Sequence, residues 1–481
     1  MLDRRRTLMT FLVTSLALFM TSLDNLVVTT ALPVIHRDLG ATLQQLEWMV
    51  NAYTLTFAVL LLTGAALGDR FGRKRLFVIG ITIFTTGSAM AALAPTGDAL
   101  VIARAIQGLG AAIVTPLTLT LLSAAVPADR RGLALGLWGG ISGLAIAVGP
   151  LVGGAIVDGL DWHWIFWLNV PIGIAVIPLA LVSLRESHGP HAALDIPGLG
   201  LVSGGLLALV WALIHGNADG WGSPQIVAAF ALAAVLLPLF LVRQARAASP
   251  MLPLRFFRSR GFSVANGVSF LMSFGVFGSI FLLAQFFQLV QGYTPFAAGL
   301  RTLPWTGMPI IVAPIAGILS DRIGARPLLV AGMALMAGGL AWLAAVSSVT
   351  VDYVVMIPGL MVAGIGMSMF FAPTANLVLS AVRPEEEGLA SGANNTIREV
   401  GGVFGVAILA SVFSANGGYQ SPATFESGLV PAVWLGAAVV AAGAVVALAV
   451  PALRRGVIAL ELPVRPLAGE RVPVMERVDG R

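Results

Sequence analysis

The sequence has no cysteine and only one lysine, Lys74, among its 481 residues. Without cysteine the chain has neither disulfides nor thiolate metal sites. A nucleotide-driven pump needs a phosphate loop with Gly-Lys-Ser or Gly-Lys-Thr, but Lys74 follows Arg73, which excludes that class. A Gly-x-Ser-x-Gly nucleophile motif is also missing, and the one close histidine pair, His188 and His191, is predicted to lie in a solvated loop. We therefore predict no cofactor, no metal site and no enzymatic centre.

Charged residues are scarce as well, at 11% of the chain, whereas 57% of the residues are hydrophobic. The mean hydropathy of +0.91 leaves too little polar surface for a water-soluble fold, so an integral membrane protein is predicted. The 55 glycines suit helices that approach one another closely in lipid. The net charge of +5 is spread over short loops rather than gathered on one domain, so we expect no nucleic-acid partner.

Fourteen apolar windows of about 20 residues predict an all-α membrane protein with fourteen transmembrane helices, the first near 9–32 and the last near 429–450. If the N-terminus is cytoplasmic, 24 of the 28 Lys and Arg residues fall on the cytoplasmic side. We expect a multi-pass protein of the cell membrane with both termini in the cytoplasm.

An internal repeat divides the chain. The segment around Asp69 returns in looser form around Asp321, 252 residues later, which indicates two related halves. Six helices in each half leave two helices inserted between them. The predicted units are a bundle at 1–190, the inserted pair at 191–245, a second bundle at 246–453 and a disordered cytoplasmic tail at 454–481.

The repeated segments are read as cytoplasmic loops, the first running from Gly64 to Arg75. Glycine allows a sharp reversal, and a carboxylate beside arginines, or at a helix N-terminus, can restrain one conformation. A merely solvated turn is the alternative. The candidate gating residues are Asp69, Arg70, Gly72, Arg73, Asp321 and Arg322.

Charged side chains at bilayer depth are costly, so each needs a reason. Asp24 lies about 13 Å and Arg104 about 9 Å from the same membrane surface, at 1.5 Å per residue. Glu399 lies about 15 Å from the other surface, and its neighbour Arg398 is about 100° away around the helix and need not pair with it. We predict that Asp24, Arg104 and Glu399 meet in one layer and take part in proton coupling; buried ion pairs that only lock helices are the alternative.

These residues occur in motifs that resemble the fourteen-helix drug:proton antiporter branch of the major facilitator superfamily, over about 1–450. The resemblance rests on Leu23-Asp24 with Ala31-Leu32-Pro33, the Asp69 segment, Arg104 to Gly110, Gly149 to Gly154, and Trp162 to Pro171. It implies the major facilitator fold, proton coupling through the first-helix acid and the fourth-helix arginine, and gating by the Asp69 segment. Leu26 and Thr29 replace the family's usual Thr and Asn after the acid, and Ala65 and His163 also depart from its pattern.

Two of the predicted helices are further candidates for a role in transport. The fifth contains Gly149, Pro150, Gly153 and Gly154, which thin and bend it and resemble the family's antiporter signature. The ninth has a phenylalanine stripe that either packs or faces lipid, or lines an apolar drug cavity. The predicted cavity residues are Asn25, Gln107, Phe270, Phe274, Phe277 and Phe281.

Taken together, these features predict a proton-coupled antiporter that exports hydrophobic, often cationic, drugs or antibiotics by alternating access. The alternative is a dedicated exporter of one endogenous metabolite, antibiotic or lipid. A sensor or scaffold would need a soluble module, and no loop exceeds about 20 residues. The expected partners are small hydrophobic or cationic substrates, protons and the lipid bilayer, and the expected functional unit is a monomer.

Overall fold

A computed structural model describes residues 2–126, 131–189, 194–383 and 386–451, and these residues form helices with no strand among them. The first helices are α1 (Leu2–Leu39), α2 (Leu43–Phe71), α3 (Arg73–Ala92), α4 (Gly97–Ala125), α5 (Arg131–Gly159), α6 (Trp164–Trp167) and α7 (Asn169–Ser183). Two helices follow, α8 (Ile196–Asp219) and α9 (Pro224–Arg246). After a 3-10 turn at Leu254–Arg258 come α10 (Arg260–Leu289), α11 (Pro295–Thr306), α12 (Met308–Ile323), α13 (Ala325–Val346), α14 (Tyr353–Ser380), α15 (Glu387–Asn416) and α16 (Pro422–Ala447).

The helices cross the membrane in up-and-down order. Within the described ranges, thirteen segments are long and apolar enough to span a bilayer, with α6 and α7 forming one crossing and α11 and α12 another. α5 is a further helix of 29 residues, which brings the crossings to fourteen. The predicted all-α membrane fold is therefore confirmed. We call the membrane side on which α1 begins the N-terminal side and the other the far side.

The two repeated segments are tighter than predicted. α2 continues through Asp69 to Phe71, so the expected loop from Gly64 is mostly helix, and Gly72 alone separates α2 from α3. Gly324 alone separates α12 from α13 in the second half. Their φ angles are 104° and 89°, a region that favours glycine, and no proline precedes Gly72 in the segment.

Most packing lies within two groups of helices, α1–α7 and α10–α16. α8 and α9 pack on each other, and α8 also lies against α2 and α15, at the junction of the two groups. On the far side, the Asn217 amide of α8 donates to Ser411 Oγ of α15 at 3.0 Å. On the N-terminal side, Asp195 at the start of α8 accepts from Arg243 and Gln244 of α9. The predicted unit boundaries stay a prediction, and the predicted disordered tail, 454–481, lies outside the described residues.

Candidate functional site

Asp24 and Arg104 form an ion pair inside the first group of helices. Asp24 in α1 is 3% exposed and Arg104 in α4 is fully buried. The guanidinium Nη1 donates to Asp24 Oδ2. The other oxygen, Oδ1, accepts from the Gln107 amide at 3.1 Å and from the Asn169 amide at 2.7 Å. Both oxygens of this carboxylate are therefore satisfied, and every partner stabilises its charged form.

The surrounding groups hold Arg104 in place. Its Nε donates to the carbonyl of Met49 at 3.0 Å, and its guanidinium carbon lies 4.3 Å from the centre of the Tyr53 ring. Ser88 Oγ accepts from the Gln107 amide at 2.6 Å and from the Asn169 amide at 3.2 Å. The network therefore ties α1, α2, α3, α4 and α7 together, so breaking the ion pair would free several helices at once.

A cavity of about 1060 Å³ lies between the two groups of helices, and both contribute to its wall. Its lining is mostly apolar, and among the residues that the structure describes, the charged ones in it are Arg398 and Glu399 of α15. Tyr53 also lines it, so this ring separates the cavity from Arg104. A space of this size with few polar groups suits apolar small molecules.

Glu399 is the ionisable group that the cavity wall leaves incompletely paired. The residue is 5% exposed, and its Oε1 accepts from Arg398 Nη2 at 3.1 Å. Its Oε2 is buried with no hydrogen-bond partner among the described residues. The expectation that Arg398 and Glu399 need not pair is wrong for this state, because the long arginine side chain spans the angle between adjacent helical positions.

The predicted cavity residues divide into three groups. Asn25 lines the cavity, whereas Gln107 belongs to the Asp24 network instead. Of the phenylalanine stripe, Phe277 alone reaches the cavity. The prediction for Phe270, Phe274 and Phe281 is therefore wrong.

The stripe is used in helix packing because α15 presents glycine to it. A Cβ atom on Gly401 would lie 2.4 Å from the carbonyl oxygen of Phe270, and one on Gly405 would lie 2.1 Å from that of Phe274. Such close backbone approach turns this face of α10 toward α15. Phe274 and Phe281 are consequently buried in protein, at 5% and 0% exposure.

The glycines of α5 bring it against helices of both groups. A Cβ on Gly149 would lie 3.1 Å from Leu26 Cβ of α1, and one on Gly153 would lie 3.0 Å from the carbonyl oxygen of Val27. Toward α11, a Cβ on Gly154 would lie 2.3 Å from the carbonyl oxygen of Pro295. The Pro150 carbonyl approaches α11 in the same way at Gly299, and Pro150 also lines the cavity.

The Asp69 segment contains an ion pair on the N-terminal side. Arg73 Nη2 lies 2.7 Å from Asp69 Oδ1, with side chains 18% and 24% exposed. Glu186, which the sequence analysis missed, accepts from the backbone amides of Lys74 at 2.9 Å and Arg75 at 3.1 Å. A carboxylate at these free amides stabilises the start of α3. The segment therefore links α2, α3 and the connection after α7.

The other predicted gating residues are placed as follows. Arg70 is exposed, with its guanidinium 5.3 Å from the Phe71 ring centre. Asp321 and Arg322 lie in the last turn of α12, where Arg322 is exposed and the side chain of Asp321 lies outside the described part of the structure.

The cavity is closed toward the far side. There the Gln288 amide of α10 donates to the carbonyl of Thr30 in α1 at 2.7 Å, and the Phe296 amide donates to Asp158 at 3.1 Å. In the other direction the lining continues to Leu379 at the end of α14, on the N-terminal side. In the described ranges, no three metal-ligating side chains come together.

Known proteins resemble the chain along most of its length. The model of the Major Facilitator Superfamily matches residues 14–406 and 269–469. A tetracenomycin C resistance and export protein of Streptomyces glaucescens is 34% identical over 428 residues, 88% of this chain and 79% of that protein. The multidrug resistance protein Stp of Mycobacterium tuberculosis is 38% identical over 413 residues, 85% of this chain and 76% of that protein.

A solved structure shares the fold. The crystal structure of an auto-inhibited POT family peptide transporter superposes with a TM-score of 0.66 at 16% identity, covering 93% of this chain and 96% of that one. The resemblance drawn from the motifs is thus confirmed. The chain belongs to the major facilitator superfamily and is a multi-pass membrane transporter.

Proposed function

We propose that the chain is a proton-coupled antiporter that exports apolar, often cationic, drugs or antibiotics by alternating access. The observation that carries this proposal is the mostly apolar cavity between the two groups of helices, with an incompletely paired carboxylate, Glu399, in its wall. Relatives named for drug resistance and export support it. A largely apolar wall fits varied compounds, and no observation favours a single metabolite.

The N-terminal side is proposed to face the cytoplasm. The basic segment from Arg70 to Arg75 lies there, and the sequence distributes most Lys and Arg residues to this side. With that orientation both termini are cytoplasmic, and the cavity, closed on the far side, is in the state that loads substrate from the cytoplasm.

Asp24 is proposed as the main proton-coupling acid. In the state described its two carboxylate oxygens accept from Arg104, Gln107 and Asn169. A proton arriving at Asp24 neutralises the carboxylate, weakens its pairing with Arg104 and so loosens the helices that the network joins. Proton binding is thereby coupled to a change in helix arrangement.

Glu399 is proposed to connect protonation with the contents of the cavity. Its unpartnered Oε2 can accept a proton, which neutralises Glu399 and leaves the Arg398 charge uncompensated in the wall. A cationic substrate is then repelled, whereas the ionised pair gives the wall no net charge. Proton and cation therefore compete for the cavity.

Transport by the purified protein in proteoliposomes tests the proposal. An imposed pH gradient should drive accumulation of several apolar compounds, cationic and neutral, against their concentration gradients, and a protonophore should abolish it. Asp24→Asn protein at the same density is the matched control. Gradient-independent movement would contradict proton coupling, and uphill transport of one compound in a broad panel would indicate the dedicated exporter.

A further inference from the structure

A further carboxylate, besides Asp24 and Glu399, is buried near the far side, away from the cavity. Glu47 lies five residues into α2 and is 2% exposed. Its Oε2 is buried and has no hydrogen-bond partner among the described residues. One turn further along α2, Asn51 is fully buried, and neither polar atom of its amide has a partner there. An ionised carboxylate in such surroundings is strongly disfavoured unless it is paired or hydrated.

Glu47 lies where the two groups of helices meet. Tyr419 is in the connection between α15 and α16, and its pKa is raised by burial and, whenever Glu47 is ionised, by the charge of Glu47, while a hydrogen bond to Gln285 acts the other way. Glu47 of the first group is therefore close to Tyr419 of the second. The Tyr419 hydroxyl donates to Gln285 Oε1 at 2.6 Å, and the Tyr419 ring lies 5.3 Å from that of His36 in α1.

The titratable groups around Glu47 include no cation paired with it. Tyr419 lies near it in the connection after α15. His36 of α1 is in ring contact with Tyr419, and its Nδ1 is 2.6 Å from the carbonyl oxygen of Ala41. On α4, Asp98 accepts from Gln45 at the surface.

Toward α8, His215 and Asp219 line a shallow pocket with Trp48, the neighbour of Glu47 in α2. On α15, Arg398 pairs with Glu399. No arginine or lysine forms an ion pair with Glu47 in the part of the chain that the structure describes.

We propose that Glu47 is a further proton-binding site, distinct from Asp24 and Glu399, which controls closure of the far side: it is protonated when that side is closed and ionises when that side opens to water. The inference rests on the alternating access of the proposed function. If the two groups of helices separate at Tyr419, Glu47 becomes hydrated, and hydration stabilises the carboxylate. Closing again requires a proton. Low pH on the far side should therefore favour closure, which returns an exporter to its loading state.

Distances between two spin labels test this inference without substrate. Leu160 and Gln420 are exposed on the far side, one in each group of helices, and the chain has no other cysteine to label. The Leu160→Cys/Gln420→Cys protein in nanodiscs should shift from long to short distances as the pH falls. The closed-to-open ratio should change by up to about tenfold per pH unit, as for one proton. Glu47→Gln in this protein should keep the short distance at high pH.

Controls separate Glu47 from other titrating groups. His36→Gln should leave the Glu47-dependent response in place, and Glu47→Gln should have the same effect in a Glu399→Gln background as in the parent. Glu47→Asp keeps a titrating group and should keep a pH response. If Glu47→Gln follows the parent pH profile, or if His36→Gln abolishes that profile, the inference is wrong. Because no transport is measured, failure of the proposed export leaves these outcomes unaffected.

Discussion

The two carboxylates near the centre of the transporter are bonded differently. Asp24 in the first half has an ion pair and two amide donors, so both oxygens are used. Glu399 in the second half has one arginine contact and one oxygen without a described partner, and it lines the cavity. Asp24 is thereby linked to the positions of helices and Glu399 to the contents of the cavity. Proton binding at the two groups should have different consequences.

The largest expected difference concerns stability. Arg104→Gln leaves Asp24 buried without its cation and should lower the free energy of unfolding by about 3–5 kcal/mol. Arg398→Gln also removes the cation from a buried carboxylate, but Arg398 is 28% exposed in its side chain and its pair already leaves one oxygen of Glu399 unbonded, so it should cost less than Arg104→Gln does. Thermal unfolding of the purified proteins measures both. Equal losses of stability would mean that the Asp24–Arg104 and Arg398–Glu399 pairs do not differ in strength. The double variant Asp24→Asn/Arg104→Gln should recover part of the stability that Arg104→Gln loses.

Substrate charge sharpens the comparison at Glu399. Glu399→Gln leaves the Arg398 charge uncompensated in the cavity and should weaken binding of a cationic substrate about tenfold, or roughly 1.4 kcal/mol. A neutral substrate of the same size should bind nearly as before. Equilibrium binding of such a matched pair of substrates to the parent and Glu399→Gln proteins measures this difference. Equal weakening for both substrates would count against an electrostatic role.

The half-buried ion pair between Asp69 and Arg73 provides a contrast with both buried groups. Because it joins α2 to the start of α3 outside the cavity, Asp69→Asn should slow turnover about fivefold, equivalent to roughly 1 kcal/mol in the barrier. Equilibrium affinity should stay nearly unchanged. Turnover and binding measured on the same preparation test this expectation. Lost affinity with normal turnover would place Asp69 in substrate binding instead.

Asp195 has the fully bonded pattern of Asp24 but lies at the membrane surface. Burial works to raise its pKa, but hydrogen bonds from Gly198, Gln244 and Arg243, with the Arg243 charge, leave that pKa lowered. A lowered folded-state pKa stabilises the protein above the unfolded value, near 3.9, and the stabilisation is lost as the pH falls through the folded value.

Asp195→Asn should therefore cost about 0.5–1 kcal/mol near neutral pH, since Arg243 is partly solvated. The difference in the free energy of unfolding between Asp195→Asn and the parent protein should narrow as the pH falls below about 4. Unfolding followed across this range measures the effect, and a gap that widens toward acid would contradict the assigned shift.

Hydropathy and basic residues were sufficient to predict the membrane crossings, and the cost of buried charge singled out Asp24 and Arg104. Asn169 and Ser88 escaped prediction because neutral polar side chains are common enough in membrane helices to give no signal. The phenylalanine stripe was misassigned because lipid, cavity and helix contacts all accept an apolar face. Only the glycines of α15, which lie far away in sequence, show that the stripe packs against a helix.

Two further carboxylates gave no signal in the sequence because they lie near helix ends. Glu47 lies near the start of α2, where a charged residue is common, yet it is buried beside the connection after α15. Glu186 follows the apolar run of α7 in a segment with no helical pattern. Its role depends on the first turn of α3, more than 100 residues earlier in the chain.

Uphill transport by Asp24→Asn protein, compared with Glu399→Gln protein, tests the central claim most directly. An asparagine amide at position 24 cannot bind and release a proton near neutral pH. Asp24→Asn should therefore abolish accumulation driven by a pH gradient, while downhill exchange of a neutral substrate survives. Glu399→Gln should retain uphill transport of that neutral substrate. If Asp24→Asn pumps normally and Glu399→Gln does not, the coupling acid is Glu399 and the role assigned to Asp24 is wrong.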